Sequence, residues 1–502
     1  MNDGERTELQ KLKLDDYVAK KTEFGQRNQI AVALDEATLG LFHLRAVIIS
    51  GVGFFTDAYD LFIIGAAILL INSEWHLTNT QIGLLGSTSL IAAFVGAFVF
   101  GRMADLWGRK KLYGLEAAIM AIGSIVSAFS PNFTWLIVSR FVMGLGIGGD
   151  YPVSAVIMSE YSNRRDRGKL VGMVFSMQAV GLILGPIVAL TLVASGIGHD
   201  LAWRLMLGLG AIPAMAVIYF RRRMPESPRY VSQVLGREQD AANSLRTYSE
   251  GQVVVRETKD ASGSKRLSAW TLVTDRRLLK TLIGTAGSWF LFDYAYYGNS
   301  ISTPLIMKMI APHASLATNI AWSVIIFSLA AVPGYILAFM NIDRIGHRRL
   351  QLIGFAVMGL AFLAMGIIPG ITSMVVPFLL LYGISYFFAE FGPNTTTFIL
   401  PAELFPVSLR TTGHGLSAGI AKMGAFIGVF AFPILTETLG LSGTLTVTFV
   451  FAVAGFLVTL LLPEPAMQSM ESLSEKLESV SPKLESLAGI SVQADKVTVE
   501  EG

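Results

Sequence analysis

Twelve apolar runs of membrane-spanning length limit what this chain can fold into. A helix rises 1.5 Å per residue, so about 20 apolar residues cross the hydrocarbon core of a bilayer. The runs lie at about 46–72, 82–101, 111–130, 134–158, 168–195, 203–221, 279–306, 318–340, 348–369, 373–399, 411–436 and 443–462. Backbone polar groups in lipid must be bonded within their own segment, which makes each run a helix. The expected fold class is an all-α membrane protein of twelve transmembrane helices. Composition agrees: 52% of the 502 residues are hydrophobic, 15% are charged, and the mean hydropathy is +0.55. A soluble domain averages about 25% charged residues. The 49 glycines suit close helix contact in lipid.

A polar segment splits the runs six and six. The expected organisation is an N-terminal segment (1–45), a six-helix bundle (46–221), a linker (222–278), a second bundle (279–462) and a tail (463–502). The tail repeats Glu-Ser-Leu and Lys-Leu-Glu-Ser and reads as a soluble amphipathic or disordered end. Arg102, Arg109, Lys110, Lys111, Arg164, Arg165, Arg167, Lys169, Arg344, Arg348, Arg349 and Arg410 fall in alternate loops, while the other loops carry little beyond Lys308. The basic loops share a side with the linker and both ends, so both termini are expected in the cytoplasm. The first 45 residues show no signal-peptide core, which favours a cell membrane, plasma or inner. A net charge of +2 does not suggest nucleic acid. With no cysteine there is no disulfide, thiolate chemistry or Cys-based metal site, and no metal or cofactor is expected.

The halves repeat each other. Asp57 in Phe-Phe-Thr-Asp-Ala-Tyr-Asp and Asp293 in Phe-Leu-Phe-Asp-Tyr-Ala-Tyr stand 236 residues apart. Asp105-Leu-Trp-Gly108-Arg109-Lys110-Lys111 and Asp343-Arg-Ile-Gly346-His347-Arg348-Arg349 are offset by 238, and Glu160/Arg167 and Glu403/Arg410 by 243. Six-plus-six parallel repeats build transporters whose halves rock about a central site.

Polar groups mark where that site would lie. Trp289, Asp293 and Tyr297 fall at i, i+4 and i+8, one helical face carrying an indole, a carboxyl and a phenol. A carboxylate at mid-bilayer costs about 2.5–3.5 kcal/mol, so this face reads as a binding face; the alternative is a structural Asp between two packing aromatics. Other ionisable residues in the spans are Asp57, Asp60, Glu116, Arg140, Asp150, Glu390 and Lys422. Each acid alone could be structural; together they favour a proton path over a passive pore. Gly392-Pro393-Asn394-Thr395-Thr396-Thr397 reads as a broken helix of the kind tolerated where it lines a cavity. Gln178 is isolated in an apolar span, where it could equally bridge two helices.

The paired loops at 101–111 and 343–349 resemble the signature loop of the major facilitator superfamily, and the likeness extends over 46–462. It implies a gate, here Asp105, Arg109, Glu160, Arg167, Asp343, Glu403 and Arg410, whose charge pairs hold the outward-facing state. Gly148-Gly149-Asp150-Tyr151-Pro152, the Gly53–Asp60 stretch and Pro393-Asn394-Thr395-Thr396-Thr397-Phe398 further resemble the proton-coupled inorganic phosphate symporters of that superfamily. That resemblance implies a phosphate site of Tyr151, Gln178, Trp289, Asp293, Tyr297 and Asn394, with Lys422 at the substrate cavity. It assigns proton movement to Asp57, Asp60, Glu116 and Asp150, and implies a monomer. An ionised Asp293 should not face an anion, whereas the protonated acid can donate to phosphate, and Lys422 would attract the anion or pair with Asp293 without it. Pro225-Glu226-Ser227-Pro228-Arg229 is shared with sugar porters and does not discriminate among substrates. Alternatives are a carrier of an organic acid, a sugar or another small metabolite, or a nutrient sensor on the same scaffold. No phosphate-binding Gly-x-x-x-x-Gly-Lys-Ser/Thr loop and no nucleophile–base set is present, which argues against a pump driven by ATP and against an enzyme.

Overall fold

The computed structural model describes residues 29–222, 224–251 and 267–468. The start of the N-terminal segment and most of the C-terminal tail, with its Glu-Ser-Leu repeats, lie outside the described residues. Ten helices among the described residues are long and apolar enough to cross a membrane. They include α1 (Leu41–Trp75), α2 (Asn79–Trp107), α3 (Arg109–Ala128), α4 (Phe133–Tyr161), α5 (Arg167–Ala194) and α6 (His199–Arg222). In the second half α7 is Arg276–Ile301, made less apolar by the polar face it carries. Next come α8 (Leu316–Ile345), α9 (His347–Ile367) and α10 (Val375–Leu404). The 50-residue helix Arg410–Thr459 breaks at Gly440, where φ is +68°, into α11 (410–439) and α12 (441–459). Counting α7 and this division, twelve transmembrane helices form two pseudo-symmetric halves. No strand occurs among the described residues.

Helix starts follow local chemistry. Thr78 accepts from the Gln81 amide at the start of α2, Asn132 from Trp135 at α4, and Asp275 from Arg277 and Leu278 at α7. Small residues then set the spacing. A Cβ on Gly148 would stand 2.0 Å from the Ala93 carbonyl oxygen, so α4 can cross α2 only with glycine there. The halves meet where α2 crosses α11 and where α5 crosses α8, two interfaces related by the internal repeat.

Two details differ from the sequence reading. The 222–278 segment is not only a polar linker: it folds helices Pro228–Gln233 and Glu238–Tyr248. Together with Gln29–Asp35 they bury Ile30, Leu34, Phe42, Val231, Ala241 and Leu245 as a small separate core. Their apolar residues are too sparse to register as spans, yet sufficient for an amphipathic face. The 279–306 run also divides at Ser302, after which Thr303–Ile310 continues as a separate helix with Pro304 in its first turn.

Candidate functional site

The buried centre between the halves is a continuous polar network. Lys422 of α11 donates to Asp293 (2.9 Å) and to the Tyr297 hydroxyl (3.3 Å). Tyr297 and Tyr151 hydroxyls lie 3.4 Å apart, joining α7 to α4. Gln178 of α5 donates to Tyr151 (3.0 Å) and accepts from Tyr335 of α8 (3.1 Å). Asn394 donates to Tyr335 (2.8 Å) and to Glu390 (2.5 Å), and Tyr296 closes the chain by donating to Glu390 (2.6 Å). Trp289 joins by ring contact, 6.1 Å from Tyr151 and edge-on to His414. The Lys422 ammonium also sits 4.5 and 4.4 Å from the Tyr151 and Tyr297 ring centres. All seven residues expected to bind substrate are thus gathered in one place, and none exceeds 2% exposure. Tyr335, Tyr296 and the contact made by Glu390 were not anticipated; a tyrosine in an apolar span carries no signal distinguishing a bonded hydroxyl from packing.

Local backbone explains how Asn394 reaches this position. Residues Glu390–Asn394 form a π-helical turn in α10, with Gly392 at φ −119° and ψ −106° and Pro393 unable to donate. The expected break is present. Thr395, Thr396 and Thr397 face back along the helix, their hydroxyls bonded to carbonyls of 390, 392 and 393.

Four acids of the first half lie alongside, in two groups. Arg221 at the end of α6 bonds Glu116 (2.8 Å) and Asp150 (2.7 Å), and its guanidinium stacks over Tyr113 at 4.5 Å. Asp57 is fully buried, neither carboxyl oxygen has a hydrogen-bond partner among the described residues, and Asp150, Arg221, Asp60 and Lys422 are its charged neighbours. Asp60 instead turns to Ser124, with the Arg140 guanidinium on its carbonyl oxygen at 3.4 Å. Arg221 was missed because it reads as one of three flanking arginines, Arg221-Arg222-Arg223.

The basic-loop side is tied shut across the halves. Asp105 at the end of α2 accepts from the amide and hydroxyl of Thr412 (both 2.6 Å), capping α11. Its repeat partner Asp343 accepts from the Gly168 and Lys169 amides (3.0 and 2.8 Å), capping α5. Carboxylates at helix N-termini are favourable. Glu226 caps α3 through the Arg109 and Lys110 amides, and Glu464 caps α9 through His347 and Arg348. Burial pushes the Glu226 carboxyl above the ordinary glutamate range, although the Arg109 guanidinium opposes the shift. Gly108 and Gly346 supply the positive φ (+97° and +99°) that turns each loop into these caps. The repeat pairs of the sequence are arranged differently in space. Arg109 bonds Asp105 (3.0 Å) and Glu160 (3.3 Å), Arg410 lies 3.6 Å from Glu160, Glu403 meets His347 (3.3 Å), and Arg167 meets Asp35 (2.9 Å).

A family profile described as sugar (and other) transporter matches residues 46–477. The chain belongs to this transporter family of the major facilitator superfamily. Within it the chain groups with the inorganic phosphate transporters. It is 34% identical to a probable inorganic phosphate transporter 1-6 of Arabidopsis thaliana, over 89% of this chain and 96% of the relative. It is 32% identical to the inorganic phosphate transporter PHO84 of Saccharomyces cerevisiae, over 92% of this chain and 89% of the relative. Among solved structures, the proton:xylose symporter XylE bound to 6-bromo-6-deoxy-D-glucose aligns with a TM-score of 0.71 at 17% identity. That alignment covers 86% of this chain and 98% of XylE. The likeness to XylE is one of fold. The family is one of multi-pass membrane transporters and not of enzymes. Against it, Lys422–Asp293 and the tyrosine–amide ring around them are the candidate substrate site, and the capped loops are the candidate gate.

Proposed function

We propose that this transporter imports inorganic phosphate with protons by alternating access. The observation that carries the reading is a buried Lys422–Asp293 pair ringed by hydrogen-bond donors from both halves. Lysine, phenol, indole and amide groups suit an anion with several oxygens, and the Asp293 carboxylate beside Lys422 supplies a place for a proton. The phosphate-transporter relatives support the substrate, and the sugar-symporter neighbours support only the scaffold.

The sequence of events runs as follows. A phosphate anion enters from the side opposite the basic loops and competes with Asp293 for Lys422. Protonation of Asp293 frees the ammonium, and the neutral acid becomes a donor. Tyr151, Gln178, Trp289, Tyr297 and Asn394 complete the shell. Opening toward the basic loops breaks the Asp105–Thr412 and Asp343–α5 caps and the Glu160–Arg410 contact. On that side Asp293 releases its proton, re-forms the pair with Lys422 and expels the anion. Asp57, Asp60, Glu116 and Asp150 pass protons between water and the centre. The two bundles, 46–221 and 279–462, are the rocking bodies, and the basic loops, the linker and both termini face the cytoplasm from a cell membrane. The working unit is a monomer that needs no metal or cofactor.

Calorimetry with purified protein tests this reading. Wild type should bind phosphate, and Asp293→Asn, which mimics the protonated acid, should bind it within about ten-fold, while its uptake into proteoliposomes loses the part of the pH dependence that Asp293 supplies. A carboxamide variant without phosphate binding would mean that the site needs the carboxylate itself. Binding of a sugar or organic acid in place of phosphate by wild type would move the substrate to another branch of the family.

A further inference from the structure

Glu390 is a buried acid that the mechanism above does not use. It opens the π-helical turn of α10, is fully buried, and forms no ion pair with Lys, Arg or His among the described residues. Its two oxygens are held only by neutral donors: Tyr296 on one (2.6 Å) and Asn394 on the other (2.5 Å). Asn394 has two amide hydrogens, and both are engaged, the second by the Tyr335 hydroxyl at 2.8 Å. Asn394 can therefore donate to an anion only by releasing one of these partners.

Its titratable neighbours are few. Tyr296 reaches it from α7, Tyr335 from α8 and Tyr386 from one turn earlier in α10, all phenols. From α8 the backbone at Gly334 approaches so closely that a Cβ there would lie 2.9 Å from that of Glu390. On the α9 side the broken turn at Gly392 and Pro393 packs on Gly354, and Gln351 bonds Thr396, so α9 brings uncharged residues here. Asp293, one turn before Tyr297 on α7, is already paired with Lys422. Among the described residues no cation pairs with Glu390, so an anion that comes to Asn394 meets a negative carboxylate bonded to the same amide, and like charges so placed disfavour one another.

Resting on the phosphate reading of this site, we propose that Glu390 is a second proton carrier of the substrate site. Phosphate engages Asn394 only when the Glu390 carboxyl is protonated, so each phosphate travels with one proton on Glu390 besides the one on Asp293. The step balances simply: hydronium on the entry side gives its proton to a carboxylate oxygen of Glu390, leaving water. The same O–H bond breaks to water on the exit side. The neutral acid no longer needs the Asn394 amide as donor, which frees one N–H for the anion. This makes Glu390 a coupling residue in direct contact with a binding residue.

The test counts protons. Wild type and Glu390→Gln are compared by phosphate titration in buffers of different ionisation enthalpy, and by paired measurement of labelled phosphate and proton flux in proteoliposomes. Glu390→Gln should take up one proton fewer per phosphate and flatten the pH dependence of KM by one order per pH unit. An unchanged proton count and slope in that variant would overturn the inference. Tyr296→Phe keeps the question answerable should the glutamine variant fold poorly. Loss of a donor to the charged carboxylate favours the protonated form, so the pH profile of phosphate KM should shift to higher pH. A profile in Tyr296→Phe that coincides with wild type would equally overturn it. If wild type itself neither binds nor moves phosphate, the substrate reading fails instead, which is a distinguishable result.

Discussion

Arg221 is the side chain on which the buried charges of the first half depend. It pairs with both Glu116 and Asp150 in a place where neither carboxylate reaches water. Removing one member of a buried ion cluster commonly costs about 3–5 kcal/mol, because the remaining charge stays buried and unpaired. Arg221→Ala should therefore unfold at markedly lower temperature in detergent. Adding Glu116→Gln and Asp150→Asn should recover part of the loss, as thermal melts would show; equal melts for the single variant and wild type would remove Arg221 from this role. The acids themselves were legible in the sequence, because carboxylates stand out in apolar runs. Their arginine was not, since a cation at a span end reads first as a lipid anchor, and only the packing of α6 on α1 and α3 turns it inward. The tyrosine partners were hidden for a related reason: phenols are at home in lipid-facing, packing and bonded positions alike.

At the scale of helices, the two loop motifs act as caps for the opposite half. Asp343 closes the start of α5 and Asp105 that of α11, so each half holds the other half's helix terminus. Loss of a capping carboxylate costs about 1 kcal/mol, a change of about five-fold in population. Asp343→Ala should shift the distance between spin labels at the exposed positions Arg165 and Arg344 toward longer values. An unaltered distribution would mean that this cap does not hold the gate. The chain contains no cysteine, so such labels attach without background substitutions. The spans were readable because the bilayer fixes their length and apolarity. Which partner each loop charge takes was not: offsets in sequence pair Glu160 with Arg167, whereas the fold places Arg109 and Arg410 against Glu160 and sends Arg167 to Asp35. Those contacts join elements far apart in the chain, and no local pattern encodes them. Helices Pro228–Gln233 and Glu238–Tyr248 escaped notice because a short amphipathic helix in a charged segment resembles a linker.

For the molecule as a whole, the internal repeat carried most of what the sequence disclosed. It implied two halves, and the symmetric crossings of α2 with α11 and α5 with α8 follow from it. Under the proposed alternating access, rocking of the halves would separate the α5–α8 crossing when the basic-loop side opens. A Cβ at Gly172 would lie 3.1 Å from that of Phe339 across this crossing, close to the reach of a disulfide. Gly172→Cys with Phe339→Cys should lose transport on oxidation and regain it with reductant. Undiminished transport by the cross-linked protein would rule out opening at this interface.

Labelled phosphate uptake into proteoliposomes tests whether the ring around Lys422 and Asp293 is a proton-coupled phosphate site. Wild type and Asp293→Ala would be compared with and without an inward proton gradient. Uptake should be driven by the gradient in wild type and should fall at least ten-fold in the variant. Uptake indifferent to the gradient, or equal in the two proteins, would contradict that assignment.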